Sequence, residues 1–140
     1  MKYVFSEQVI EHLTYEQGAI MLNECRRVLV PGGKIRIATP NLTELVGFFG
    51  DPKNAAFQAY FQRQAKKFGD PVLIEPETFT LNRMMHFHGH QFLYTLSLLR
   101  QCLQAAGFRD IKEVQPGKSD DPALTNIDSG LNGKTTCSRR

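Results

Sequence analysis

Four histidines carry much of the chemistry this sequence offers, and three of them alternate as His86-x-His88-x-His90. The fourth, His12, directly follows Glu11. An imidazole titrates close to neutral pH, so it can take or give a proton there. Alternate residues share a face only in extended chain, whereas His86 and His90 share one on a helix. Tyr94 adds a phenol four residues beyond His90. Two short polar runs, Ser6-Glu7-Gln8 and Thr39-Pro40-Asn41, each come directly after an apolar segment. Near the C-terminus, Gly130 to Thr136 invites a phosphate-loop reading. That motif needs a glycine five before Gly133, where Asp128 stands, and a helix after it, for which Cys137 to Arg140 are too few. The phosphate loop is therefore rejected.

The secondary structure around these groups is legible from the apolar pattern. Lys2 to Phe5 is short and β-prone, and Glu7 to Leu13 could form a short helix. Thr14 and Gln17 match a capping box. The helix it opens, Tyr15 to Leu29, carries Met21, Cys25, Val28 and Leu29 on one stripe. Pro31-Gly32-Gly33 stops it, and Lys34 to Ala38 alternates as a strand. Helices are expected over 42–49, within 52–68, from Glu77 to about Phe87 and from Thr95 to Ala106. A break falls at 71–76. The stripe Phe57, Tyr60, Phe61, Phe68 reads as core or a dimer face. Gly107 closes the Thr95–Ala106 helix and Phe108 to Val114 gives a third strand. From Pro116 onward the chain is polar and reads as loop, with a disordered tail over 126–140. This order predicts an open α/β sheet whose first two strands are adjacent and parallel. Ligands in such sheets bind beyond the carboxyl ends of the strands. Both polar runs fall on that face.

The chain has 140 residues, enough for one domain or part of one. The net charge of +3 is mild, and the basic residues lack the clustering of a nucleic-acid binder. Three cysteines, Cys25, Cys102 and Cys137, make no disulfide framework, which fits a reducing compartment. The N-terminus has no signal-peptide layout and no membrane-length apolar run. A cytoplasmic protein without membrane attachment is expected.

Four ordered segments then point to a family. They are Val4 to Leu13, Glu24 to Gly33 with its Arg-Val-Leu-Val-Pro-Gly-Gly ending, and Gly89 to Tyr94 followed by Ala105-Ala106-Gly107-Phe108. Together they resemble the class I S-adenosylmethionine-dependent methyltransferases, and most nearly the small type 11 domain proteins. The resemblance spans about residues 2 to 125 and begins at the family's fourth strand. It implies the C-terminal part of a Rossmann-like sheet with helices on both faces. No glycine-rich turn or acidic strand end, which hold most of the cofactor in the family, stands ahead of Val4. The expectation is a partial domain over 1–125. Its missing half would come from a partner chain, or the chain would self-associate.

The resemblance also implies roles. Ser6 and Glu7 would line the methionine or methyl end of S-adenosylmethionine, unless Ser6 merely caps the next helix. Glu11 and His12 match part of a Glu-x-x-Glu-His metal run found in some relatives, with Gln8 replacing one carboxylate. One of His86, His88 or His90 would have to complete such a site. His90 and Tyr94 are the candidates for removing the acceptor's proton, against the plainer reading of a packed turn and a core ring. The function implied is methyl transfer to a small-molecule acceptor within a larger catalytic domain. The alternative is an inactive domain that works through protein contacts.

Overall fold

The computed structural model describes residues 1–47, 50–51, 54–69, 76–128 and 135–139. It is an α/β fold built on a four-stranded sheet of order β1-β2-β4-β3. The strands are β1 (Tyr3–Glu7), β2 (Lys34–Ala38), β3 (Arg109–Val114) and β4 (Thr135–Arg139). β1 and β2 pair in parallel from Tyr3 opposite Lys34 to Glu7 opposite Ala38, as the sequence predicts. Between them runs α1 (Tyr15–Val28). Its capping box is complete: Gln17 N donates to Thr14 Oγ1 at 3.2 Å and Thr14 N to Gln17 Oε1 at 3.0 Å. Gly32, at φ +76°, turns the chain into β2.

The remaining helices are α2 (Leu42–Gly47), α3 (Ala55–Phe68), α4 (Pro76–Asn82) and α5 (Leu96–Ala105). Thr95 caps α5, its hydroxyl accepting from Leu98 N at 3.1 Å. Gly107, at φ +86°, ends it. The core joins Leu22 and Leu29 of the α1 region, Ile35 and Ile37 of β2, and Leu99 and Leu103 of α5, with Ile10, Tyr94 and Phe108. In α3, Phe61 and Ala65 are buried. The side chains of Phe57, Tyr60 and Phe68, the rest of that stripe, lie outside the described residues, as does the break at 71–75.

Several expectations need correction. β1 runs to Glu7 rather than Phe5, so Ser6 and Glu7 belong to the strand. The helix expected over 7–13 shrinks to a 3-10 turn, Ile10–His12. The helix from Glu77 divides into α4 and a π-helical turn, Arg83–Phe87. The largest correction concerns the C-terminal segment. Thr135–Arg139 is a strand inserted between β2 and β3, antiparallel to both. Two open sheet edges supply the hydrogen-bonding partners for it, a tertiary effect that outweighs its weak intrinsic pattern. Residues 130–134 of the rejected phosphate loop lie outside the described residues, and the segment after them is β4 rather than a helix. Order also extends past 125, because Arg36 of β2 pairs with Asp128. Cys25 and Cys102 are free thiols. Among the described residues no helix is long and apolar enough to cross a membrane.

Candidate active site

Beyond the carboxyl ends of β1 and β2, backbone bonds gather the chemistry-bearing segments. Gln8 adopts φ +53°, uncommon for a residue with a side chain, and its N–H donates to Ala38 O at 2.9 Å. That bond turns the chain into Ile10-Glu11-His12. The segment before α5 is then fastened to this turn. Gln91 N and Phe92 N donate to Glu11 O at 2.7 and 3.2 Å, and Gln91 Nε2 donates to His12 O at 2.7 Å. On its other side, Leu42 N donates to Tyr94 O at 2.9 Å, and Asn41 bridges Tyr94 in parallel.

These contacts bring Glu11, His12 and His90 together, with one ligand atom from each lying within 4.8 Å of the others. The His12 and His90 rings meet edge to face at 4.7 Å between centroids. Glu11 is wholly buried. Its Oε2 accepts from Thr39 Oγ1 at 2.8 Å, while its Oε1 has no hydrogen-bond partner. A buried carboxylate oxygen left unpartnered is costly and marks a place where a ligand, ion or water belongs.

His90 reaches the cluster because Gly89, at φ +71°, turns the chain after the π-helical turn. His86 stays exposed within that turn and does not join the three ligands. His90 Nδ1 is hydrogen-bonded to Met84 O. A carbonyl only accepts, so Nδ1 carries a proton, and in the neutral ring Nε2 carries the lone pair. The His88 ring lies 5.7 Å from that of His90. Burial holds the His88 pKa down, with smaller contributions from His90, Arg83, His12 and Lys67.

Tyr94 lies in the core rather than on the open side of the cluster. It is 1% exposed and packs in the hydrophobic core, with its hydroxyl against Gly18 of α1. Burial, with smaller contributions from Cys102, Tyr15 and Glu16, pushes its pKa up to about 12. Ser6 is buried and its Oγ has no partner, and no side-chain cap serves the following 3-10 turn, so the capping role is not seen. Glu7 ends β1, half-buried, opposite Ala38.

Next to His90 opens a cleft of about 360 Å³, with Leu42, Met85, Phe92, Leu93 and Leu98 among its walls. Sequence reasoning missed this cleft, the Thr39 contact to Glu11 and the Met84 carbonyl. Thr39 alone had a signal, as part of the polar run after β2.

No family model matches the sequence, and no curated protein matches it. Solved structures do. A candidate O-methyltransferase from Nostoc punctiforme PCC 73102 superposes with a TM-score of 0.55 at 11% identity, over 99% of this chain and 31% of that one. An O-methyltransferase family protein from Burkholderia thailandensis gives 0.54 at 14% identity, over 99% and 30%. A SAM-dependent methyltransferase from Archaeoglobus fulgidus gives 0.54 at 18% identity, over 100% and 59%. The fold is therefore one that methyltransferases use, and the chain spans between about a third and three-fifths of the length of these structures.

Proposed function

We propose that this chain forms the acceptor side of a class I, type 11-like S-adenosylmethionine-dependent methyltransferase domain, the C-terminal part of its Rossmann-like sheet. The observation that carries the reading is the convergence of Glu11, His12 and His90 beyond the carboxyl ends of two parallel strands. The likeness of nearly the whole chain to methyltransferase structures supports it. The reaction is methyl transfer to an oxygen, nitrogen or carbon of a small acceptor within a larger catalytic domain.

The cofactor would supply an electrophilic methyl group. Ser6 and Glu7 fit its polar end: a buried hydroxyl without a partner lies one residue before a carboxylate at the strand terminus. His90 Nε2, with its lone pair fixed by the Met84 bond, would receive the acceptor's proton. The Gln91 and Phe92 bonds to Glu11 hold the ring in place, and positioning is the larger part of catalysis for an in-line displacement.

A second reading rests on the same cluster. One carboxylate and two imidazoles form a donor set suited to a divalent metal, and Glu11 Oε1 is the orphaned atom such an ion would satisfy. Ligands about 2.1 Å from a tetrahedral ion stand about 3.4 Å apart, so side chains now within 4.8 Å must close somewhat. His90 Nε2 cannot serve both as metal ligand and as proton acceptor. We place the proton acceptor first.

For partners, β1 pairs only with β2 among the described residues. Its open edge supports self-association, or a partner chain carrying the cofactor half. Titration with S-adenosylmethionine, followed by amide chemical shifts, tests the whole reading. Expected are localised, saturable shifts at Ser6 and Glu7 in the millimolar range. A few hydrogen bonds of about 1 kcal/mol each fall short of the ~8 kcal/mol of a micromolar complex. Shifts that appear elsewhere, or nowhere, reject the reading.

A further inference from the structure

The cleft beside His90 says more about the acceptor than that it is small. Its apolar wall comes from Leu42 of α2, Met85 of the π-helical turn, Phe92 and Leu93 of the following segment, and Leu98 of α5. Among the described residues no carboxylate, ammonium or guanidinium lines it, and His90 is its one titratable lining group. The other polar lining side chains, Thr95 and Gln91, are each held by one hydrogen bond. The Thr95 hydroxyl accepts from Leu98 N, and the Gln91 side chain gives its amide to His12 O from the solvent side. Of the two His90 ring nitrogens, Nδ1 is taken by Met84 O, which leaves Nε2 for a ligand at this wall.

We propose that the acceptor is a neutral, largely apolar molecule of one to two rings, presenting a single hydroxyl or N–H donor to His90 Nε2. The cleft volume of about 360 Å³ fits this size, since about 150 Å³ suffices for benzene. A mostly apolar wall with a few placed polar groups matches the general build of small-molecule sites. An anionic ligand would surrender its hydration to a wall with no cation, so the cleft selects against it. A ligand without a donor would leave the His90 lone pair unsatisfied, which costs affinity. The exposed Met85 at the mouth adds adaptable apolar surface for a longer body.

The choice of ligand rests on the methyl-acceptor reading, but the test measures binding alone, so the two can fail separately. The full chain, in buffer containing a chelator, is titrated with 2-naphthol, naphthalene and 3-hydroxy-2-naphthoate while the His90 imidazole ¹⁵N resonances are followed. Expected is saturable naphthol binding that moves His90 Nε2 and the Leu93 and Leu98 signals. Naphthalene and the carboxylate should each bind about tenfold more weakly. A His90→Phe variant should lower naphthol to the level of naphthalene. If that variant does not fold, the comparison of naphthol with naphthalene on the unaltered protein carries the same information. Carboxylate binding equal to or tighter than naphthol overturns the proposal, as do equal affinities for naphthol and naphthalene, or shifts that map away from the cleft. Naphthol binding without any response of Ser6 and Glu7 to S-adenosylmethionine would leave this site standing and remove the methyltransferase reading.

Discussion

Arg36 and Asp128, 92 residues apart in sequence, meet as a buried ion pair. The Arg36 side chain is wholly buried and that of Asp128 is 2% exposed. Arg36 Nε donates to Asp128 Oδ1 at 2.9 Å and its Nη1 to Lys118 O at 2.6 Å, while Asp128 Oδ2 also accepts from Gly117 N at 2.8 Å. The pair thus ties the segment after β3 to the centre of the sheet. Removing one partner of a buried pair strands the other charge, at about 3–5 kcal/mol. Asp128→Ala should lower stability by that amount in urea unfolding. The double change Arg36→Met with Asp128→Leu should recover most of it. A single-variant loss below about 1 kcal/mol would show that the pair is not the anchor.

The same aspartate sets an acid limit on stability. Burial alone would raise the Asp128 pKa, but the bonds from Arg36 and Gly117 outweigh it and hold it below the usual carboxylate value. Asp121 is held low too, first by Lys34 and then by the Ala123 amide. A depressed folded pKa gives stability that is complete above the unfolded value, about 3.9, and lost as pH falls through the folded value. Stability should therefore be flat with respect to these groups at neutral pH and fall below about pH 4. The fall should be smaller in an Asp121→Asn variant. Equal acid slopes in the two proteins would contradict the assignment.

A third expectation concerns Gly18 of α1. A Cβ added there would overlap the Tyr94 hydroxyl, and Tyr94 is too deeply buried to swing aside. Overpacking of this kind typically costs about 1–3 kcal/mol. Gly18→Ala should destabilise by that amount, although alanine is the better helix former. Tyr94→Phe removes the obstructing oxygen, so the double variant should lose less than the sum of the singles. Strict additivity in thermal or urea unfolding would mean that the two residues do not touch.

The contrast between what could and could not be read from the sequence is one of range. Thr14 with Gln17, Pro31-Gly32-Gly33 and the alternation in Lys34 to Ala38 are local signals, and each led to the observed element. The parallel pairing of β1 with β2 came from one capped helix between two short apolar runs. Thr135 to Arg139 carries no comparable pattern, because its order comes from two strand edges far away in sequence. Arg36 reads in the sequence only as a member of an alternating strand, and the fold alone reveals its pairing with Asp128. In the site, Glu11-His12 and the alternating histidines were visible as chemistry. Which histidine would join them depended on Gly89 turning the chain out of the π-helical turn. For Tyr94 the sequence leaves a proton acceptor and a core ring both open, and the fold turns the phenol into the core.

The last expectation separates the two uses of His90. If a divalent ion can occupy Glu11, His12 and His90, adding Co²⁺ to the metal-free chain should give one saturable visible spectrum. Binding should be weak, because ligand atoms spread over as much as 4.8 Å must close toward about 3.4 Å before they share one tetrahedral ion. Glu11→Gln should abolish the spectrum, since an amide is a poor ligand beside imidazoles. The same substitution bears on stability. Glu11 Oε2 accepts from Thr39, and an amide in its place disturbs that buried bond, so a loss of about 1–3 kcal/mol is expected. Metal bound at His90 Nε2 should also block naphthol at the cleft, because both need the same lone pair. Cobalt that binds without displacing naphthol would place the ion elsewhere. No spectrum at millimolar cobalt would remove the metal reading and leave His90 as the proton acceptor.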